Sequence, residues 1–236
     1  MKNICIIAPV YNEENNIKKI FYKIKKLKIS FDILFVEDNS VDNSRKEIVL
    51  LSKKFSNVFY IFRKKKLGVG SAHKDGIKWC YNKKYSKIIT MDVDGSHDTK
   101  YIPKLLKYSI KYDMVITSRF KNKNSLADWP LSRKILTYSR LILCKIFLGI
   151  NQDASGAFRC FFTKKITLKH LIAASSNYYD YFFESIYILL RNNYSIYELP
   201  VILPIRKLGK SKMSFFHIWI AILTLIRIKF QKKKIN

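Results

Sequence analysis

Two carboxylates separated by one residue, Asp92 and Asp94, follow an apolar run that ends in Met91. On an extended segment, side chains at i and i+2 point the same way. Like charges held together are unfavourable unless a cation compensates them. Hard oxygen ligands of this kind suit Mg²⁺ or Mn²⁺, and an ion on one or two carboxylates completes its shell with water and substrate phosphates. Aspartates at this spacing are common by chance, so the place of the pair at the end of an apolar run is what marks it. Asp38 also closes an apolar run, where a carboxylate can accept hydrogen bonds from a nucleobase or ribose. Ser40 and Asp42 fit the cap of the helix that follows, and for Asp42 the cap is the favoured reading.

Other groups suit anions. Gly68 and Gly70 precede a helix expected over 72–82, and a helix N-terminus can receive a phosphate. No Gly-Lys-Ser/Thr follows and G-x-G-x-x-G is incomplete, so a plain turn explains this loop equally well. Arg119 follows the fifth apolar run. Arg133, Thr137 and Arg140 fall at i, i+4 and i+7 of a long helix expected over 129–148, on one face. Two guanidiniums and a hydroxyl there would suit an anion. The opposite side (Ile135, Leu136, Ile142, Leu143) is apolar, so a solvated polar face is the plainer explanation.

The elements that must position these residues alternate. Runs over 3–8, 32–36, 58–62, 87–91 and 114–117 are short and rich in Ile, Val and Phe, the pattern of buried strands. Between them lie amphipathic stretches such as 16–27 and 42–54. This alternation implies an α/β fold with a mostly parallel sheet and helices on both faces. Ligands of such sheets bind beyond the strands' carboxyl ends, where the candidate residues fall. Past residue 122 the pattern changes to strands over 157–163 and 195–203 and helices over 181–191 and 215–230. Neither a repeat nor a Gly/Ser linker separates the halves.

The chain has 236 residues and a net charge of +28, from 45 Lys and Arg against 17 Asp and Glu. Such a balance seeks nucleic acid, anionic lipid or phosphorylated substrates. The aromatics lie in apolar runs instead of alternating with Arg as a stacking surface, so nucleic acid is not expected. Cys5, Cys80, Cys144 and Cys160 form no C-x-x-C pair and sit among apolar residues, which reads as reduced thiols on a cytoplasmic face. The N-terminal apolar run is too short for an export signal.

Eight segments occur in order: Pro9-Val10-Tyr11-Asn12-Glu13, Val36-Glu37-Asp38-Asn39-Ser40, Leu67-Gly68-Val69-Gly70, Met91-Asp92-Val93-Asp94-Gly95-Ser96-His97, Ser118-Arg119-Phe120, Trp129-Pro130-Leu131-Ser132-Arg133, Asp153-Ala154-Ser155-Gly156-Ala157-Phe158-Arg159 and Arg206-Lys207-Leu208-Gly209-Lys210-Ser211-Lys212-Met213. Together they resemble the dolichyl-phosphate mannosyltransferase-like members of glycosyltransferase family 2, over roughly residues 3–214. The resemblance implies a GT-A-type, Rossmann-like fold over residues 1–213. It implies that Pro9, Tyr11, Glu13, Asp38 and Gly68 line the donor nucleotide pocket, and that Asp92 and Asp94 handle metal and diphosphate. It suggests Arg119, Arg133 and Thr137 for the acceptor phosphate, and Arg206 and Lys212 for donor or acceptor phosphates. The activity it implies is inverting transfer of a sugar, with GDP-mannose the favoured donor, to a polyprenyl or dolichyl phosphate. The sequence departs from the family at Glu37, Asn39, Ser96 and Thr137, where the family usually shows Asp, Gly, often Leu or Gln, and Ser.

The helix expected over 215–230 spans about 24 Å at roughly 1.5 Å per residue, short of a hydrocarbon core of roughly 30 Å. His217, Thr224, Arg227 and Gln231 share a stripe, and Lys residues flank the segment. Residues 214–236 therefore read as an amphipathic, basic tail on the cytoplasmic face of a membrane, with a buried core helix as the alternative. Two other functions remain open. A UDP-sugar transferase acting on a saccharide hydroxyl would need a base, for which Asp153 and Glu184 are the candidates. A non-enzymatic membrane- or nucleic-acid-binding module would need none of this chemistry.

Overall fold

The computed structural model describes residues 3–203 and 215–231. The first half follows the expected alternation: β1 (Ile4–Val10), α1 (Glu14–Lys25), β2 (Asp32–Glu37), α2 (Ser44–Lys54), β3 (Val58–Phe62), α3 (Val69–Asn82), β4 (Lys87–Thr90), α4 (Ile102–Tyr108) and β5 (Met114–Ser118). Then come α5 (Leu131–Leu148), β6 (Arg159–Phe162), α6 (Leu168–Ile172), α7 (Tyr181–Arg191), β7 (Ile196–Pro200) and α8 (Phe215–Phe230). The short helices α4 and α6 are absent from the sequence reading, because five to seven residues give too little periodicity to register.

Seven strands form one sheet in the order β3-β2-β1-β4-β6-β5-β7. Every pair is parallel except those of β6, which runs antiparallel to both β4 and β5. Alternate residues of the central strands feed two cores. Ile6, Ala8, Ile33 and Phe35 pack with α1 and α2 on one face. Cys5, Ile7, Leu34 and Val36 pack with α3 and α7 on the other. Burial on both faces is why these strands read as unbroken apolar runs. All four cysteines are free and buried.

His73, on α3, is buried with neither ring nitrogen hydrogen-bonded. Its ring lies parallel to that of Tyr181 at 6.0 Å and edge-on to Phe182 at 5.4 Å. Burial, then the charges of Arg159 and His97, push its pKa down to about 3. The native state thus holds the ring neutral, while the unfolded chain protonates near pH 6.5. Stability contributed by this group is complete above that pH and falls as pH drops toward 3. The slope is about 1.4 kcal/mol per pH unit. Urea unfolding should give roughly 2 kcal/mol less stability at pH 5 than at pH 7. His73→Phe should remove most of that difference; an unchanged slope would assign it to other groups.

Candidate active site

The loops after β1, β2, β4 and β5 converge at one edge of the sheet. Pro9, which cannot donate to a ladder, is tolerated in β1 because pairing with β4 ends at Ile7 opposite Thr90. Beyond it, the backbone N–H of Asn12 donates to Ser40 Oγ (2.9 Å) and that of Glu13 to Ser44 Oγ (2.9 Å), clamping the first loop to the second. Asp42 accepts from Glu14 N (3.1 Å) and Ser44 N (3.0 Å), the capping work expected of it, at the starts of both α1 and α2. Tyr11 is half-buried, with the Lys66 ammonium 3.8 Å from its ring centroid.

The departures at Glu37 and Asn39 have local causes. Glu37 is fully buried, paired with Arg45 and accepting from Ser40 N. Asn39 sits at φ +61°, a left-handed conformation that Gly adopts freely and Asn tolerates. Both serve the loop itself.

Asp38 and Gly68, both expected in the donor nucleotide pocket, engage each other and Arg63 in this structure. Asp38 Oδ1 accepts from Arg63 Nη1 (2.9 Å) and Leu67 N (2.8 Å), and Oδ2 from Gly68 N (2.8 Å). The carboxylate and the Gly68 N–H therefore engage each other, and one lone pair of Oδ2 is what Asp38 has left. Arg63 completes the cluster on Asp75 (2.6 Å), and Ser71 N is taken by Asn177 O. The glycines serve packing and turn geometry. Gly68 has φ +95°, and a Cβ at Gly70 would lie 2.4 Å from Tyr181 Cβ. Among the named donors, little of a phosphate cradle remains.

Past β4 the chain bends, and Asp92 and Asp94 are both partly exposed. Asp94 accepts from Ser96 N (2.9 Å), and Gly95 at φ +81° completes the turn. His97 Nδ1 accepts from Asp92 N (2.9 Å), its Nε2 lies 3.8 Å from Asp92 Oδ2, and its ring stacks on Phe158 at 5.1 Å. His97 had no role in the sequence reading; its spacing of five from Asp92 was the available signal. Among the described residues, no three His, Cys, Asp or Glu side chains close on a single point. Two partly exposed carboxylates suit an ion that takes its remaining ligands from water and phosphate.

Thr90 Oγ1 donates to Ala157 O (2.6 Å), and Gly156 backs onto Arg119. The 153–157 loop thus bridges the end of β4 and Arg119. Arg119 donates from Nε (2.8 Å) and its backbone N (3.1 Å) to Asp153 Oδ2, while Ser155 binds Oδ1. Burial acts to raise the Asp153 pKa, but the charge and hydrogen bonds of Arg119, with the Ser155 hydroxyl, hold it below the usual carboxylate value. Asp153 is therefore a counter-ion and not a base. Glu184, the other candidate base, is committed to Ser175 Oγ (3.0 Å), Ser176 N (2.9 Å) and Arg227 Nη2 (3.0 Å).

Buried Trp129 organises the arginines. Its Nε1 donates to Leu203 O (3.2 Å), and the Arg133 guanidinium lies 3.6 Å from its ring centroid, with that of Arg119 at 6.0 Å. Thr137 is buried one turn further along α5. The expectations for Arg206 and Lys212 lie outside the described residues.

Glycosyl transferase family 2 matches this chain over residues 5–173. The chain belongs to that family. This glycosyltransferase is 28% identical over 212 residues to the undecaprenyl-phosphate mannosyltransferase of Micrococcus luteus, covering 89% of this chain and 87% of that protein. It is 28% identical over 214 residues to the polyprenol monophosphomannose synthase of Mycolicibacterium smegmatis, covering 89% and 80%. Among solved structures, glucosyl-3-phosphoglycerate synthase from Mycobacterium tuberculosis, in complex with Mn²⁺, UDP-glucose and phosphoglyceric acid, superposes with a TM-score of 0.70. The identity is 12%, and the match covers 97% of this chain and 80% of that one. At that identity the likeness shows the fold alone, the GT-A arrangement. Family membership leaves the non-enzymatic module without support.

Proposed function

We propose that this glycosyltransferase moves a sugar, with mannose from GDP-mannose favoured, to a polyprenyl or dolichyl phosphate at a membrane surface. The observation that carries the reading is how α8 lies on the protein. Thr224 Oγ1 donates to Asp180 Oδ2 (2.8 Å), and Arg227 pairs with Glu184, so much of the polar stripe faces inward. Phe216, Trp219, Leu223 and Phe230 face outward. Beside it, α5 exposes Leu131, Ile135, Ile142 and Ile146, spaced so as to share a face. Apolar surface on this scale, on two helices packed together, marks an interaction site. A bilayer carrying the acceptor suits it, and no described helix is long and apolar enough to cross one.

On this reading the other side of α5 presents Arg133 and Thr137, with Arg119 opposite, to a phosphate whose tail lies in the lipid. A phosphate oxygen is already anionic near neutral pH, so a nucleophile of this kind needs no strong base. The commitment of Asp153 and Glu184 supports it over a saccharide hydroxyl, which would need one. Pro9, Tyr11 and Glu13 would receive the nucleotide on the loop clamped by Ser40 and Ser44. Asp92 and Asp94 would hold Mg²⁺ or Mn²⁺, which when bound supplies charge neutralisation for the departing diphosphate. One in-line displacement would invert the anomeric centre.

The test is a transfer assay with full-length enzyme, GDP- and UDP-sugars, Mg²⁺ or Mn²⁺, and either polyprenyl phosphate or saccharide acceptors. The expected product is a lipid-linked sugar. Arg133→Ala should raise the acceptor KM about tenfold or more, as for a lost hydrogen bond to a charged group, with the donor KM nearly unchanged. Transfer only to saccharides, or a shift only in the donor KM, would overturn the reading.

A further inference from the structure

Thr137, Arg140 and Cys144 line the inner side of α5, around a cavity of about 10 Å³ shared with Gln152 and Asp153. That is room for roughly one water. Two polar groups here are left over. Gln152 Oε1 is buried with no hydrogen-bond partner. Arg140, only part-buried, makes no hydrogen bond or ion pair with any described residue.

The surroundings sharpen the excess of positive charge. Asp153 is already the partner of Arg119. Arg159, fully buried nearby, donates to the carbonyls of Gly156, Ala154 and Phe182 and to the Ser185 hydroxyl, and pairs with no carboxylate among the described residues. Three guanidiniums therefore lie in the field of Asp153, and Glu198, which accepts from Asp153 N (2.9 Å), is itself paired with Lys121. Burial, followed by the charge of Arg119, lowers the Arg140 pKa to about 10, which leaves it cationic near neutral pH. A half-desolvated cation without a partner among the described residues is unfavourable until an anion reaches it.

We propose that Arg140 is a further ligand of the acceptor phosphate, and that its unpaired charge at the mouth of the Thr137–Gln152 cavity selects a dianionic phosphate monoester over a singly charged diester. The proposal rests on the polyprenyl phosphate reading. It adds a residue which that reading does not require, on the same helix side as Thr137 and seven residues beyond Arg133. A phosphate monoester loses its second proton near pH 6, so the preference should strengthen as pH rises through that value.

The experiment uses full-length enzyme with a short-chain polyprenyl phosphate and its methyl diester as competitor. Arg140→Gln should raise the acceptor KM roughly 10- to 100-fold, leave the donor KM within about twofold, and flatten the rise in acceptor affinity between pH 5 and 7. Arg140→Lys, keeping charge but not the planar fork, should fall between the two. If Arg140→Gln does not fold, Arg140→Lys decides: a monoester-over-diester preference at least about threefold below that of wild type supports the proposal, and an unchanged preference overturns it. A wild type that transfers normally, with Arg140→Gln matching it in acceptor KM and pH profile, overturns this inference alone. A wild type with no transfer to polyprenyl phosphate removes the acceptor reading together with it.

Discussion

Asp94→Ala is expected to lower sugar transfer about a thousandfold, equivalent to roughly 4 kcal/mol of transition-state stabilisation. The figure follows from the work assigned to the carboxylate: charge neutralisation of a departing diphosphate by a bound ion contributes several kcal/mol. Asp94 has a second job, accepting from Ser96 N in the turn closed by Gly95. Asp94→Asn separates the two, because an amide oxygen can still accept that bond but cannot neutralise a cation. Both variants should lose activity alike, keep the wild-type unfolding midpoint within a few degrees, and lose metal-dependent donor binding by calorimetry. Full activity of either variant in the presence of EDTA would sink the metal assignment, and recovery by Asn alone would reassign Asp94 to turn geometry.

Replacing Trp219 and Leu223 together by Asp should abolish co-sedimentation with anionic vesicles while leaving folding intact. The two side chains are 66% and 62% exposed, so little packing is lost in solution. Each contributes about 1.5–3 kcal/mol when buried in an apolar phase, so the pair should shift vesicle partitioning by a factor of roughly 10² to 10⁴. Transfer to a water-soluble short-chain acceptor should persist in the variant, whereas transfer to acceptor embedded in vesicles should collapse. High salt gives the opposing outcome: if it strips the intact enzyme completely, the basic surface alone holds it and the apolar face is not inserted.

The candidate residues were partly legible before the fold. Asp92 and Asp94 were marked by their place after an apolar run, and Arg133 with Thr137 by helical spacing. Asp42 was recognised as a cap because such capping is local. The partners of Asp38 are not visible in the sequence, because Arg63, Leu67 and Gly68 lie 25 to 30 residues away. For the same reason Asp153 and Glu184 read as free bases, since the arginines that pair with them, Arg119 and Arg227, are 34 and 43 residues distant.

What the sequence determined by itself is the α/β alternation, because burial on both faces leaves continuous apolar strands and one-sided burial leaves periodic helices. It also set the family, through eight ordered motifs. The tertiary structure decided direction and facing. An apolar run reads the same in either orientation, so only assembly shows that β6 is reversed. That reversal brings the loop before β6, with Asp153 and Gly156, to the edge where β4 and β5 end. The apolar and polar sides of α8 are equally visible in the sequence. Asp180 and Glu184 draw Thr224 and Arg227 inward and leave the apolar side facing out. Pairing between residues distant in sequence, set by hydrogen-bond and charge complementarity after the chain has folded, is the physical reason.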